Sequence, residues 1–594
     1  MRATVSGPAA ILLGTIAVAL TPAVAGAGIA PKQAAVQADK LLVSELAAPK
    51  TADSKTAAAS STDSKSPASD YVHAGPGKAT TATASAKAGS RLASTDFKAA
   101  KPADDETFLR RASMDLIGRP PSPAEVTSFV LDPSPDKRAT LVDRLLAKPE
   151  FGENWARYWR DVIMYRRSED RALLAAPTLT QYLTEQFNKD VPWDQVARSF
   201  ITATGDVREN GATGLIAAQF GQTAEVTAEV SRIFMGIEIQ CANCHNHPTD
   251  RWKRTQFHEL AAFFPRIAMR PVNKGMAAGQ RSFEVAGNDR PRPFAPKNPN
   301  LPRGEAEHYM PDLKNPSSKG TLMQPVFFLT GQKLPEGSTD AERRSTIAQW
   351  ITSKQDPWFP KAFVNRIWAE LVGEGFYEPV DDIGPDRDCV APKTLEFLAN
   401  QFVQHDYDVK WLYRTVMATA AYQRESRSRH LPGETPFVAN CPQRLRGDEL
   451  FSALMAAVGL QDDRLGRPGG GMGARYQPRD IRGVFNAVFG YDPSVRRDEV
   501  TGSIPQALLL MNSPQLARAI DGKRTETVLG ELLSSTKSDE AVATELYLRC
   551  LAREPKSDEL EVCLDHVKKT GNRAEAFEDI LWALVNSTEF LHRK

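Results

Sequence analysis

The sequence predicts a mainly α protein: a multi-helix, two-domain body with long irregular connections and a few short strands. Apolar residues recur at helical spacing along most of the chain, whereas strand-like text is confined to short stretches such as RSFEV and PVFFLTG. The 41 prolines and 38 glycines follow no repeat, which is typical of helices joined by irregular connections. At 594 residues, the chain is long enough to bury more than one core.

The overall charge argues against one class of partner. Charged residues make up 25% of the chain, but the formal net charge is only +1. Such a balance creates no overall field that attracts nucleic acid, so we expect no nucleic-acid partner.

The N-terminus has the layout of a secretory signal peptide. Arg2 precedes an apolar run from Ala9 to Leu20, and small residues then lead to Ala25 and Ala27. The run is short for an uncleaved membrane anchor, which favours a signal peptide over residues 1–25, cleaved after Ala25 or Ala27. We therefore expect a secreted or periplasmic protein without a transmembrane segment after cleavage.

Shifts in composition divide the rest of the chain. Residues 26–95 are rich in Ala, Ser, Thr and Lys and poor in large apolar side chains, which predicts a disordered tether. Residues 96–270 are predicted to form an N-terminal helical domain that contains a cysteine motif. Residues 271–335 are predicted to be a Pro-rich connector with short strands, and residues 336–594 a C-terminal helical companion domain.

The sequence predicts three helices near the cysteine motif. The segment TAEVTAEVSRIFMGIEIQ leads into the cysteine motif, with apolar residues at helical spacing: Val226, Val230, Ile233, Phe234 and Ile237. A second amphipathic helix follows the motif, with an expected inward face of Phe257, Leu260, Ala261 and Phe264. Upstream, a stripe of Trp155, Tyr158, Trp159 and Ile163 is typical of a packed core helix.

The string CANCH within CANCHNHPTD is the attachment signature of c-type haem. Its two thiols, Cys241 and Cys244, would add to the two vinyl groups of the porphyrin, and His245 would bind the iron. The reachable candidates for a sixth iron ligand are His258 and Met269, with Met310 further along.

Three other interpretations of the motif stay open. A zinc or other divalent metal site built from Cys241, Cys244, His245 and His247 is disfavoured, because four ligands within seven residues can hardly surround one tetrahedron. A site that borrows Asp250 or His258, such as Cys241, Cys244, His247 and Asp250, is more plausible. A thioredoxin-like dithiol needs a βαβ framework that this helical sequence lacks. A local disulfide across two residues would be strained.

The four other cysteines and a pair of adjacent aspartates are the remaining candidates for chemistry. Cys389, Cys441, Cys550 and Cys563 are structural by default, and the sequence does not reveal whether they form disulfides. Asp381 and Asp382 follow a Gly-rich turn and could serve a hydrolase or bind a cation. Adjacent residues of an extended chain face opposite sides, however, and a salt-bridge cluster around Arg366 is the favoured interpretation.

Several long strings resemble one known family. They are GIEIQCANCHNHPTDRWKRTQFHELAAFF, RASMDLIGRPPSPAEV, FVNRIWAELVGEGFYEPVDDIG and DEVTGSIPQALLLMNSPQL. They are similar to exported planctomycete proteins that join a cytochrome-c-like domain (DUF 1549) to a planctomycete-specific companion domain (DUF 1553), both of unknown function. The resemblance covers roughly residues 100 to 594 and implies export and a Cys-x-x-Cys-His site at Cys241, Cys244 and His245.

These observations lead to a ranked set of functions. The first is an exported protein that binds one haem c and exchanges electrons with a redox partner protein. The second is a non-redox binding or scaffold protein with a cell-wall or extracellular partner, in which the motif holds a structural metal or a helix junction. The third is a hydrolase that uses the Asp381 region. The sequence does not decide whether the protein is an enzyme.

Overall fold

Most of the described chain is helical, as the apolar periodicity predicts. The structure, a computed structural model, describes residues 28–47, 99–272, 282–290, 304–427, 435–462, 480–496 and 499–594. The helices of its first part are α1 Pro31–Ala47, α2 Asp105–Ile117, α3 Pro123–Leu131, α4 Lys137–Leu146, α5 Pro149–Met164, α6 Ala176–Asn188, α7 Trp193–Thr202, α8 Gly214–Ala218, α9 Thr223–Val230 and α10 Arg254–Ala261. Short 3₁₀ turns lie at Asp170–Leu174, Gly211–Thr213 and Ile239–Asn243, and one π turn lies at Ser231–Met235.

Helices resume after residue 339. They are α11 Asp340–Ile351, α12 Trp358–Val372, α13 Pro392–Gln404, α14 Val409–Ala418, α15 Ala420–Gln423, α16 Gly447–Val458, α17 Ile481–Phe489, α18 Ile504–Asn512, α19 Pro514–Ala519, α20 Val528–Ser535, α21 Asp539–Leu551, α22 Ser557–Thr570, α23 Arg573–Val585 and α24 Thr588–Leu591. The mainly α prediction is therefore confirmed.

The strands are short and mostly lie between the two helical regions. They are β1 Gly205–Asp206, β2 Ile267–Val272, β3 Ser282–Gly287, β4 His308–Met310, β5 Thr321–Met323, β6 Val326–Phe327, β7 Gln332–Lys333, β8 Gln443–Arg444 and β9 His592–Arg593. One antiparallel sheet has the order β1-β3-β2, with Met269 opposite Val285, and the other strands form the pairs β4-β5, β6-β7 and β8-β9. The strands expected at RSFEV and PVFFLTG are present as β3 and β6.

The predicted tether needs a correction at its beginning. Within residues 26–95, residues 31–47 form α1, whose small face of Ala34, Ala35 and Ala38 is fully buried together with Leu42. Alanine-rich sequence has high helix propensity and lets two helices approach closely, so this segment packs although it has few large apolar side chains. Residues 48–95 of the predicted tether, and the whole of the predicted signal peptide, lie outside the described residues.

Two hydrophobic cores form, and their division does not fall at the predicted boundary near residue 336. The first core takes in α1, the aromatic stripe of α5, the predicted inward face around α10, and α11 to α14. The second core consists of residues from Leu445 to Phe590 with Met114 of α2. Helices on both sides of the predicted boundary share one core because neither set covers its own apolar face alone.

Candidate functional site

The cysteine motif begins where the chain leaves α9. The helix continues into the π turn and ends at Gly236, whose φ is +68°, so the predicted helix stops before Ile237. The Gly236 carbonyl accepts a hydrogen bond from the Ile383 backbone N–H at 2.7 Å, and a Cβ at position 236 would lie 2.7 Å from Ile383 Cδ1. Glycine is required there because the left-handed conformation and the close approach both exclude a side chain. The motif is thus anchored to a loop from the C-terminal half.

Both cysteines of the motif are exposed: Cys241 lies on the 3₁₀ turn Ile239–Asn243, and Cys244 directly follows it. Ala242 between them is fully buried and fixes the turn to the body. Cys241 and Cys244 carry free thiols. Burial, with Glu238 and Asp382 nearby, raises the pKa of Cys241. The two sulfur atoms are therefore accessible to a reagent and are not joined in a local disulfide.

His245 follows the turn and is exposed. Its Nδ1 lies 2.7 Å from the Asn246 carbonyl oxygen. A carbonyl only accepts, so Nδ1 carries the proton and the lone pair is on Nε2. A ring nitrogen that donates to a carbonyl is the usual support for a metal-binding histidine, because it fixes the tautomer and the ring orientation.

Hydrogen bonds from α10 fix the position of the turn. The Asn243 carbonyl oxygen accepts from His258 Nε2 at 3.1 Å and from Arg254 Nε at 3.3 Å. The Arg254 backbone N–H also donates to Asn246 Oδ1 at 3.0 Å. These bonds fix the peptide between the two cysteines relative to α10.

A second histidine extends this chain of hydrogen bonds. His308 of β4 places its Nε2 2.9 Å from His258 Nδ1. Because His258 Nε2 donates to the carbonyl of Asn243, His258 Nδ1 accepts and His308 Nε2 donates. Burial lowers the pKa of both rings to about 4, so both are neutral at pH 7.

The sixth-ligand candidates are therefore engaged elsewhere. His258 is 1% exposed and uses both ring nitrogens in the bonds just described. Met269 is buried in β2 against Gly221, and Met310 is half-buried in β4 opposite Thr321. Ligation of an iron on the exposed side of His245 would require any of them to leave these contacts.

The residues of the alternative metal set point in different directions. The His247 backbone N–H donates to the Trp252 carbonyl at 2.8 Å, and its Nδ1 accepts from the Thr249 backbone N–H at 3.3 Å. The Asp250 side chain is only 1% exposed and packs against Gly384, with Oδ2 3.7 Å from Arg387 Nε. Within the described ranges, no group of three or more His, Cys, Asp or Glu side chains is arranged to hold a metal ion.

Asp381 and Asp382 have different partners, and they lie in a turn closed by the Asp382 N–H and the Pro379 carbonyl, not in the extended chain that the sequence suggested. Asp381 is buried and binds Arg232 at 2.7 Å and Arg366 at 3.2 Å. These guanidinium groups hold the pKa of Asp381 well below its usual range, against the effect of burial. The favoured salt-bridge interpretation is thereby confirmed. A buried carboxylate with two arginines cannot reach a substrate from solvent.

Asp382 faces the cysteine motif instead. It binds Arg387 at 3.0 Å, and Arg387 also donates to Thr249 Oγ1 at 3.0 Å. Burial raises the pKa of Asp382, and the charges of Arg387 and His247 oppose this rise. Asp382 and Arg387 therefore form one wall of the site.

Sequence reasoning missed several of the residues that build the site. Arg387 lies 138 residues from its partner Thr249, and His308 lies 50 residues from its partner His258. Only the fold brings them together, and no local spacing signals them. Arg254 lies inside the helix predicted after the motif, so its proximity to the motif was readable but its hydrogen bonds to Asn243 and Asn246 were not.

Two of the remaining cysteines, Cys550 and Cys563, are buried away from the motif. Cys389, Cys550 and Cys563 carry free thiols. Cys550 is fully buried in α21, which raises its pKa to about 12. Cys563 hydrogen-bonds with Tyr547, and burial raises its pKa too. A protonated, buried thiol is inert.

Fold and site together define a class: a mainly helical protein that exposes a dithiol–imidazole turn between two helical regions. A family model described as PSCyt2, protein of unknown function (DUF1549), matches residues 87–269, and one described as PSD1, protein of unknown function (DUF1553), matches residues 343–480. The chain belongs to the family that joins these two domains in this order. No curated protein and no solved structure matches it.

Proposed function

We propose that this protein binds one haem c, which Cys241 and Cys244 would hold covalently and whose iron His245 would bind, and that it transfers electrons. The observation that carries this proposal is the geometry of the motif: exposed free thiols on the 3₁₀ turn and at its end, followed by an exposed imidazole whose Nδ1 lies within hydrogen-bond distance of a backbone carbonyl. When bound, the haem supplies one-electron redox chemistry. Attachment needs no oxidant, because each S–H adds across a vinyl double bond.

The chain's own residues would hold and orient the turn. His258 and Arg254 fix the Asn243 carbonyl, and with it the spacing of the two sulfur atoms. Asp382 and Arg387 would bound the site on the side of the C-terminal half. His258 is hydrogen-bonded to His308, and Met269 packs against Gly221. Neither residue would therefore serve as a further iron ligand without leaving these contacts.

The proposed location is outside the cytoplasm. The signal-like residues 1–25 support export to the periplasm or the medium, where covalent haem attachment takes place. In the described ranges, no helix combines the length and the apolar character that a membrane crossing requires. The expected partner is a redox protein of the same compartment.

A second candidate function is a structural metal site in a non-redox binding protein. It is favoured by the position of Asp382, whose carboxylate interacts electrostatically with both His247 and Cys241. A zinc ion would then use Cys241, Cys244 and His247 with Asp382 in place of Asp250. The side chains would have to rotate toward one point, so this candidate ranks second.

The deciding experiment is expression in an exporting host that has cytochrome c maturation machinery. We expect a Soret band, sharp bands on reduction, and a haem stain that survives a denaturing gel. The stain should be lost in the Cys241→Ala, Cys244→Ala double variant and kept in Cys389→Ala, a matched free thiol elsewhere. A colourless protein from this host would contradict the proposal, and one zinc per chain by elemental analysis would then support the second candidate.

A further inference from the structure

Helix α1 packs against α13, α14 and α15, which lie more than 340 residues later in the sequence. The family models match residues 87–269 and 343–480, so α1 lies outside both matches, whereas its three neighbours lie within the second. Its buried face consists of small residues such as Ala34 and Ala38, together with Leu42. Small side chains let the helix approach its neighbours closely. Helix α1 therefore rests on a surface that another part of the chain forms.

The residues just before α1 are bound through their backbone. The Ile29 N–H donates to Gln401 Oε1 at 3.3 Å. The Ile29 carbonyl accepts from His405 Nε2 at 2.9 Å and from Trp411 Nε1 at 3.2 Å. The His405 and Trp411 rings stack with their centroids 4.2 Å apart, which fixes both donors. A Cβ at residue 28 would clash with the His405 ring, so this surface requires glycine there.

Two carboxylates of α1 bind backbone N–H groups of the same surface. Glu45 accepts from the N–H groups of Lys393 and Thr394 at 2.7 and 3.0 Å, and from Thr394 Oγ1 at 2.7 Å. These groups begin α13, which has no side-chain cap of its own. Asp39 accepts from the Ala420 N–H at 2.9 Å. Polar groups thus recognise the segment 28–47 near its start, its middle and its end.

The chain that joins α1 to the body is much longer than the docked position requires. Ala103 donates its N–H to the Gln423 carbonyl at the end of α15, and Asp39 binds the start of the same short helix. These contacts place the end of α1 and residue 99 at most about 40 Å apart. Residues 48–98 comprise 51 residues. A segment of that length reaches about 170 Å when extended, so the covalent connection does not force α1 onto this surface.

From these observations we infer that α13, α14 and α15 form a binding site for a helical peptide, and that residues 28–47 are its ligand within the same chain. The ligand class is a helix with small residues on its buried face and two carboxylates that meet backbone N–H groups. The connection holds the ligand at an effective concentration on the order of millimolar, which keeps the site occupied. The inference is independent of the proposed function, because none of these contacts involves the cysteine motif.

Cleavage of the connecting chain tests whether α1 is a ligand. A specific protease site replaces residues 68–74 in the chain as an exporting host processes it, and the protein is cut after folding. We expect the N-terminal fragment to stay with the body in gel filtration at micromolar concentration. An excess of a synthetic peptide of residues 28–47 should displace the fragment and leave the circular dichroism of the body unchanged. A fragment that separates at once, or a body that unfolds on cleavage, would overturn the inference.

Peptide variants test the contacts. A fluorescent peptide of residues 28–47 should bind the cut protein with one peptide per chain, measured by anisotropy. The Asp39→Ala, Glu45→Ala double variant should bind at least tenfold more weakly, because it loses both carboxylates. Lys40→Ala, at an exposed position of the same helix, is the matched control and should bind like the unchanged peptide. Equal dissociation constants for the three peptides would contradict the inference. So would saturable binding to the uncut chain, whose site is already occupied.

Discussion

At the residue scale, the cysteine motif depends on one carbonyl group. The Asn243 carbonyl accepts from His258, which accepts in turn from His308. This arrangement exists only while His258 Nδ1 has a lone pair, since an imidazolium ring has no acceptor. The shape of the turn is therefore coupled to the neutral state of two buried rings.

This coupling predicts a loss of stability in mild acid. Both rings titrate near 4 in the folded protein and at their ordinary value of 6.5 when unfolded. A histidine with a lowered pKa contributes stability that is fully present above 6.5 and is lost as the pH falls towards 4. We expect each ring to lower the free energy of unfolding by about 2 kcal/mol between about pH 7 and pH 5, measured by chemical denaturation.

A variant separates this pair from other titrating groups. His308→Gln keeps an N–H donor for His258 Nδ1 but does not titrate, so we expect about half of the acid-dependent loss to disappear. His566→Gln, at an exposed ring that contacts Asp579, is the control and should follow the wild type. Parallel pH profiles for wild type and His308→Gln would contradict the coupling.

At the element scale, helix α1 caps two helices of the C-terminal half. Glu45 accepts from the backbone N–H groups of Lys393 and Thr394 at 2.7 and 3.0 Å, where α13 has no cap of its own. Asp39 accepts from the Ala420 backbone N–H at the start of α15. The carboxylates satisfy free helix N–H groups and interact favourably with the positive helix end.

We therefore expect Glu45→Ala to loosen α1. Loss of a helix cap costs about 1 kcal/mol, which corresponds to roughly fivefold faster opening of α1. Hydrogen–deuterium exchange of residues 31–47 measures this opening. Lys40→Ala on the exposed face of the same helix should leave the exchange rate unchanged. Equal rates in Glu45→Ala and wild type would mean that apolar packing alone holds the helix.

At the scale of the whole molecule, a buried ion cluster connects three parts of the chain. Arg232 lies at the end of α9, Asp381 lies in the loop after α12, and Ser494 lies after α17. Arg232 binds Asp381 at 2.7 Å and Ser494 Oγ at 2.9 Å, and Arg366 binds the same carboxylate. Buried charges of this kind are tolerated only while each has its partner.

Removal of the central carboxylate should destabilise the whole protein. We expect Asp381→Asn to lower the free energy of unfolding by about 3 kcal/mol, because the buried Arg366 loses its anion and Arg232 keeps only Glu229. Asp382→Asn changes the adjacent, half-buried carboxylate and should cost less than about 1 kcal/mol. Thermal unfolding of both variants gives the comparison. Equal losses would contradict the central role of Asp381.

The pH dependence of this difference has a definite sign. The pKa of Asp381 lies below its ordinary value of 3.8, so its contribution is present above that value and is lost as the pH falls below it. The difference in the free energy of unfolding between wild type and Asp381→Asn should therefore be largest near neutral pH and become smaller below about pH 4.

The sequence by itself determined the helical class, the aromatic core stripe of α5, the inward face around α10 and which thiols and imidazoles stand together in the cysteine motif. These features are local: helical period and motif spacing both lie within a few residues.

Only the tertiary structure decided which side chains surround the motif and where the cores divide. His308, Arg387 and Ile383 contact the motif and the residues that flank it across at least 50 residues of sequence. Helix α1 contacts the start of α13, which lies more than 340 residues later in the sequence. Such contacts depend on how helices pack, and packing is set by the combined shape of many side chains. The same packing left one face of α18 uncovered, which periodicity alone does not distinguish from a core face.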